Sequence, residues 1–427
     1  MRKAALAISV IWAVLIGGCG VTPETLMVTP VIYQDGGLDP FDHLAEEHRT
    51  TTVPVFYATT RQQVFDGETM RYDNRLTESL QLGEAHVQFG DRMRWDDLHS
   101  MSRVDPRSRA ILLELHRADE LGTAPLKKII STEGDRKTLA DAEHSAHRFL
   151  AEIENHLRAA KDPEILIFVH GAKVNFYNSC VFAAELDHFT GRDMVTIAFS
   201  WPTHQDIFAY LSGEDVTRAY RSADAFACLL ELLATQTSAR RINILCWSAG
   251  GRVVARALQE LDTWETDCGR DPTLLRIGSV VFAATDVPVH EFVKELPAIE
   301  EIAEHTVITS SDDDEALVLA TKLMGGGERV GSSAAILEEL GAKRDPGNVE
   351  FVDVSYGKGD RGFDITGHRY WFRHSWVASD MVLSLRTRLP AAQRGLQPGP
   401  ADGIWYLPRD YPDRVQRAAT EALGDDW

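Results

Sequence analysis

Six short apolar runs, separated by segments long enough for a helix, constrain this chain more than any other feature. They cover residues 165–169, 195–199, 242–245, 279–283, 306–309 and 349–354. Most are rich in Val, Ile and Phe, and several are apolar throughout, which is how strands covered on both faces read. Their alternation with helix-length segments predicts an α/β fold around a mostly parallel sheet. In such sheets ligands bind beyond the carboxyl ends of the strands. Chemistry is therefore to be sought in the residues directly after each run. A further strand is predicted over 53–58, and helices over 137–160, 210–232 and 375–389. No internal repeat is present.

The run at 242–245 continues into Cys246-Trp247-Ser248-Ala249-Gly250-Gly251. Beyond it, Val253, Val254, Ala257, Leu258, Leu261 and Trp264 recur at helical spacing. A strand, a tight turn with a central serine and a helix lift the serine hydroxyl above the strand end. The same turn aims the first N–H groups of the helix at whatever the hydroxyl attacks. The turn needs small neighbours because helix and strand cross closely. Gly250 and Gly251 supply them behind Ser248, and Cys246 stands where a glycine is commoner. Over these residues alone, a plain loop or a helix N-cap would read the same way.

The other strand ends decide. Residues 165–169 lead into His170-Gly171-Ala172. The Ala172 N–H is expected to join the Ala249 N–H in an oxyanion hole, with His170 bracing the loop. Ser200-Trp201-Pro202 is expected to line the pocket. Thr285-Asp286 follows one strand, Asp312-Asp313-Asp314 the next, and His368 comes after the last. Nucleophile, acid, histidine is the chain order of the α/β-hydrolase triad. Ser248 is thus the expected nucleophile and His368 the base. Asp314, after the strand next but one to the elbow, is the expected acid, with Asp286 the alternative. A run of three aspartates also suits a solvated helix N-terminus, so at most one need act. His374 competes with His368 but falls inside the closing helical pattern. The glycine-rich stretch 324–331 lacks the Lys-Ser/Thr of a phosphate loop and reads as a turn.

Composition bounds the rest. The 427 residues are 44% hydrophobic and 25% charged, with a net charge of -20. That charge argues against a nucleic-acid or anionic-lipid surface. Met1-Arg2-Lys3, an apolar stretch 4–16 and Ile16-Gly17-Gly18-Cys19 read as a bacterial lipoprotein leader with Cys19 the acylated residue. Gly20, rather than aspartate, points to the outer membrane. Several acyl chains would give a stable anchor in the bacterial cell envelope. Cys180, Cys228, Cys246 and Cys268 could pair in three ways, though Cys246 suits a buried apolar role. The expected organisation is a signal peptide at 1–18, a tether at 19–52, an N-terminal extension packed on the main domain at 53–136, the main domain at 137–390 and a tail at 391–427.

Several motifs together resemble an uncharacterised bacterial family of α/β-hydrolases, a domain of unknown function often borne on lipoproteins. They are Val55-Phe-Tyr-Ala-Thr-Thr-Arg61, Phe168-Val-His-Gly171, Ser200-Trp-Pro202, the elbow, Ala283-Ala-Thr-Asp286, Ser311-Asp-Asp-Asp-Glu-Ala-Leu317 and Gly367-His-Arg-Tyr370. The set spans residues 53–382. The family usually carries His-Ser-Met-Gly at the elbow and an aromatic after His-Gly. Here Trp247-Ser-Ala-Gly and Ala172 keep the backbone donors but reshape the pocket wall. The resemblance implies a serine hydrolase without implying a substrate. The sequence reading is an esterase or lipase acting on small-molecule or lipid esters through an acyl-serine, with no cofactor and no metal. The alternatives are an amidase or protease using the same triad, and a non-catalytic binding protein of the same fold.

Overall fold

The computed structural model describes residues 24–66, 69–126, 135–267, 269–332, 340, 347–355, 367–399 and 403–424. Among these, twelve strands join in one sheet. They are β1 Glu24–Thr25, β2 Thr52–Asp66, β3 Thr69–Phe89, β4 Leu112–Pro125, β5 Ile165–Val169, β6 Val195–Ser200, β7 Ile242–Trp247, β8 Ile277–Ala283, β9 Ala303–Ser310, β10 Val349–Asp353, β11 Gln397–Pro398 and β12 Ile404–Tyr406. The spatial order is β1-β4-β3-β2-β6-β5-β7-β8-β9-β10-β12-β11. Every neighbouring pair from β2 to β12 is parallel. Antiparallel pairs extend the sheet at both ends. All six apolar runs are strands, and the elbow strand β7 lies between β5 and β8 near the middle.

The helices are α1 Trp95–Met101, α2 Asp135–Ala159, α3 Phe176–Phe189, α4 Ile207–Leu211, α5 Glu214–Gln236, α6 Gly250–Asp267, α7 Val289–Ile302, α8 Glu315–Met324, α9 Tyr370–Arg373, α10 Ser375–Thr387 and α11 Tyr411–Leu423. They cover both faces, so successive strand residues enter different cores. Ile244 and Cys246 pack with α2, α5, α6 and α7, whereas Leu245 and Trp247 pack with α3, α10 and α11. Two-sided burial explains why these strands show no polar alternation. The helix expected over 210–232 is two, because Gly213 takes φ +87° between α4 and α5.

The segments outside the six runs are more ordered than a tether and a tail imply. First, residues 24–52 are not a tether. Glu24 and Thr25 add an edge strand to β4, and Leu26, Met27, Val31, Ile32, Tyr33, Phe41 and Leu44 are buried. This strap follows α3 along its length. Asn178 in the first turn bonds Glu24, Glu185 accepts from the Met27 N–H at 2.7 Å, and the Phe189 carbonyl accepts from the Tyr33 hydroxyl at 2.5 Å. Burial pushes the Glu185 carboxyl up to about 8. The apolar residues are scattered among Pro and Gly, without helix or strand period, so the sequence read as a spacer. Second, the N-terminal extension is part of the sheet itself. β2, β3 and β4 are long antiparallel strands continuous with the main sheet through β2 and β6. Third, the described residues of the tail from 391 are packed on the main domain. β12 pairs with β10, and Tyr411, Val415 and Ala419 of α11 are buried. The boundaries at 136 and 390 therefore do not divide the sheet. The leader, Cys19 and Cys268 lie outside the described residues; Cys180 and Cys246 are buried thiols.

The buried strap makes a direct prediction. Ile32→Ala should lower the unfolding free energy by about 2–5 kcal/mol, the usual range for truncating a fully buried aliphatic side chain. A urea melt showing no change would restore the tether.

Candidate active site

Ser248 sits between β7 and α6 with φ +54°, a left-handed conformation uncommon for a residue with a side chain. The Ser248 N–H donates to the Ala283 carbonyl at 3.0 Å, and the Ser248 carbonyl accepts from the Gly251 and Asp286 N–H groups at 3.0 and 3.1 Å. A Cβ on Gly250 would strike the carbonyl oxygens of Val169 and His170. Glycine there lets α6 start directly against the end of β5. The elbow expected from the sequence has formed, with Cys246 wholly buried beneath it.

His368 reaches this serine from the loop before α9. Its Nε2 lies 2.9 Å from Ser248 Oγ, and its Nδ1 lies 2.7 Å from Asp314 Oδ2. Asp314 is fully buried, and its other oxygen accepts from the Leu317 N–H at 3.0 Å as the N-cap of α8. One residue of the aspartate run is thus both a helix N-cap and the carboxylate against His368, and it is buried rather than solvated. Gly367, at φ +64°, lies so close to Asp313 that a Cβ would strike the Asp313 carbonyl. That contact admits the histidine loop to the acid. His374 is not inside the closing helix. It caps the N-terminus of α10, where its Nδ1 accepts from the Trp376 N–H.

Asp286 does not meet His368. Its carboxylate accepts from Arg329 Nε at 2.7 Å and Arg252 Nη2 at 3.4 Å, and also from the Tyr210 hydroxyl. Burial raises this carboxyl to about 7 against the pull of Arg329. Arg329 also donates to the Gly325 and Gly327 carbonyls. The glycine-rich stretch is thus a turn folded around an arginine whose partner is Asp286.

The loop at residues 170–172 lies against the elbow. Neither the Ala172 nor the Ala249 N–H has an acceptor among the described residues. Gly171 touches the elbow, since a Cβ there would stand 2.9 Å from Ser248 Cβ. His170 is fully buried and stacked on Trp201, with centroids 5.3 Å apart. Its Nδ1 donates to the Gly171 carbonyl at 2.7 Å. Burial, aided by Arg61, lowers its pKa to about 3, so it stays neutral and braces the loop.

Sequence reasoning did not assign roles to four residues. Arg61, fully buried, donates to the Ser200 hydroxyl at 3.0 Å and to the Val174 and Trp201 carbonyls at 2.7 Å each. One guanidinium thereby joins the loops after β5 and β6. Burial lowers its pKa to about 9, so it remains a cation at neutral pH. Trp247 donates from Nε1 to the His368 carbonyl at 3.2 Å, and its ring lies 5.5 Å from the imidazole. Arg369 lies over the rings of Trp247 and Phe182 and pairs with Glu24 at 3.2 Å. The positions of Arg61, Trp247 and Arg369 within quoted motifs were the available signal; nothing local marked Glu24.

A serine hydroxyl bonded to an imidazole, itself held by a buried carboxylate, can lose its proton as it adds to a carbonyl. Two unpaired N–H groups beside it can hold the resulting oxyanion. This arrangement on a mostly parallel sheet defines an α/β-hydrolase. Residues 145–384, more than half of the chain, match the family described as alpha/beta hydrolase of unknown function (DUF900), and the protein belongs to that family. Comparison with curated proteins gives no match. Among solved structures, an uncharacterized protein from Bacillus cereus is 15% identical over 60% of this chain and 74% of its own, with a TM-score of 0.32. A poly(3-hydroxybutyrate) depolymerase from Bordetella parapertussis is 16% identical over 45% and 74%, with a TM-score of 0.29. A lipase-esterase related protein from Clostridium acetobutylicum is 11% identical over 53% and 95%, with a TM-score of 0.28.

The neutrality of His170 has a measurable consequence. Its ordinary pKa of about 6.5 applies in the unfolded chain, so between that value and about 3 only the unfolded state takes up this proton. Its contribution to stability is complete above about pH 6.5 and is lost as pH falls, by about 1.4 kcal/mol per unit. Urea melts from pH 7 to 4 should show a steeper loss for the wild type than for His170→Phe. Parallel profiles would mean that His170 is protonated in the fold.

Proposed function

We propose that this protein is a serine esterase or lipase anchored in the bacterial envelope through Cys19. The observation that carries the reading is the continuous chain from Ser248 Oγ to His368 Nε2 at 2.9 Å and from His368 Nδ1 to Asp314 at 2.7 Å. Ser248 Oγ adds to the acyl carbon as His368 takes its proton, and the oxyanion is held by the Ala249 and Ala172 amides. The C–O bond to the leaving alcohol then breaks, and His368 returns the proton to that alcohol. Water, deprotonated by His368, attacks the acyl-Ser248 carbonyl and releases the carboxylic acid. Asp314 holds the imidazole tautomer and stabilises the imidazolium. Esters are favoured over amides only as the easier leaving group. The sequence supports the envelope location through its leader and Cys19.

A fluorophosphonate probe should label the wild type and not Ser248→Ala; equal labelling, or none in the wild type, would exclude the nucleophile. Asp314→Asn should slow turnover of a short-chain ester by about 10⁴-fold, by the precedent of triad asparagine variants. Asp286→Asn should slow it far less while lowering the melting temperature, since Arg329 and Arg252 lose a buried partner. The reverse ranking would exchange the two acids.

A further inference from the structure

The strap begins at the same edge of the molecule as the proposed active site. Its contacts fall in order along α3: Glu24 on Asn178, Met27 on Glu185, Tyr33 on Phe189. The strap therefore runs the way α3 runs, away from the carboxyl edge of β5, and its first residue lies at that edge. Glu24 also pairs with Arg369, the neighbour of His368. Only residues 20–23 separate Glu24 from Cys19. Fully extended, the chain from Cys19 to Glu24 spans at most about 18 Å.

Two short helices flank the elbow at this edge. α4 follows β6 and sends Tyr210 to Asp286. α8 begins directly after Asp314, and the two helices touch. Both present apolar side chains to solvent: Phe208 is 56% exposed, Leu323 57% and Val318 37%.

Building on the esterase reading, we propose that the carboxyl edge faces the bilayer holding the Cys19 acyl chains, and that the substrate is an acyl ester of a lipid in that bilayer. A leash this short leaves no room for the molecule to turn its active site away. Phe208, Leu323 and Val318 meet a surface of neutral headgroups, which the net charge of -20 favours over anionic ones. Ser248 takes the lipid acyl group, the remaining lipid alcohol leaves with the proton from His368, and water releases the fatty acid.

The test uses the full acylated chain in phosphatidylcholine vesicles. Fluorophores are attached at Phe208→Cys or at Leu274→Cys, which is exposed just before the amino end of β8, with the unsubstituted chain as labelling blank. A headgroup-bound quencher should quench the probe at 208 at least about fivefold more than the probe at 274. Equal or reversed quenching overturns the inference, as does a chain recovered without acyl groups on Cys19. Inserting twenty Gly/Ser residues between Val21 and Thr22 adds roughly 25 Å of reach. It should slow hydrolysis of a labelled phosphatidylcholine in the same vesicle about tenfold and leave turnover of a water-soluble ester unchanged. An unchanged vesicle rate overturns the inference. Loss of fluorophosphonate labelling and soluble-ester turnover in the unmodified chain would instead overturn the esterase reading, while the quenching contrast reads orientation independently of any chemistry.

Discussion

The left-handed backbone of Ser248 is the constraint on which the site rests. A residue with a side chain held there costs of order 1–3 kcal/mol, and it persists only when its surroundings over-determine it. They do so here. β7 is locked between β5 and β8, α6 starts hard against the end of β5 because residue 250 is glycine, and the Ser248 carbonyl takes two backbone N–H groups. The hydroxyl stands above the sheet edge because these hydrogen bonds hold the peptide groups around it.

Two sets of buried contacts then bring partners to that hydroxyl. On one side Arg61 ties together the loops after β5 and β6, and Trp201 donates to the His170 carbonyl. The donor loop is thereby fixed from behind, leaving the Ala172 amide unengaged. On the other side Trp247 holds the His368 backbone, and Asp314 combines capping α8 with orienting the imidazole. Joining a helix cap to a triad acid couples the geometry of the histidine to the start of α8. The asymmetry between the two aspartates has the same origin. Asp286 is paired with Arg329 of the glycine-rich turn and Arg252 of α6, so it supports the wall beside the elbow while Asp314 faces the imidazole.

The strap links this site to the N-terminal part of the chain. Glu24 meets Arg369, and the Val28 N–H donates to the Phe372 carbonyl. The segment carrying His368 is therefore packed beneath residues that directly follow the leader-like stretch. Under the proposed anchoring, the same residues that bring the histidine segment into place would also fix which edge meets the bilayer.

The sequence determined the parallel sheet, the elbow and the candidate triad. Strands buried on both faces leave continuous apolar runs, and the chemistry of a parallel sheet collects where those runs end. Ser248, His368, Ala172 and Ala249 could be named because each follows a strand in order. It ranked Asp314 over Asp286 by strand order alone, since both follow strands and both precede the histidine. That choice depends on which carboxylate meets arginines and which meets the imidazole, a fact of three-dimensional neighbours. The strap and the added strands at 397–398 and 404–406 were illegible for a related reason. Their apolar residues lack a local period, and their partners Glu185, Ser379 and Val352 lie far away in the chain. Local pattern carries information about elements that cover themselves by repetition; segments that complete someone else's surface are decided only when that surface exists.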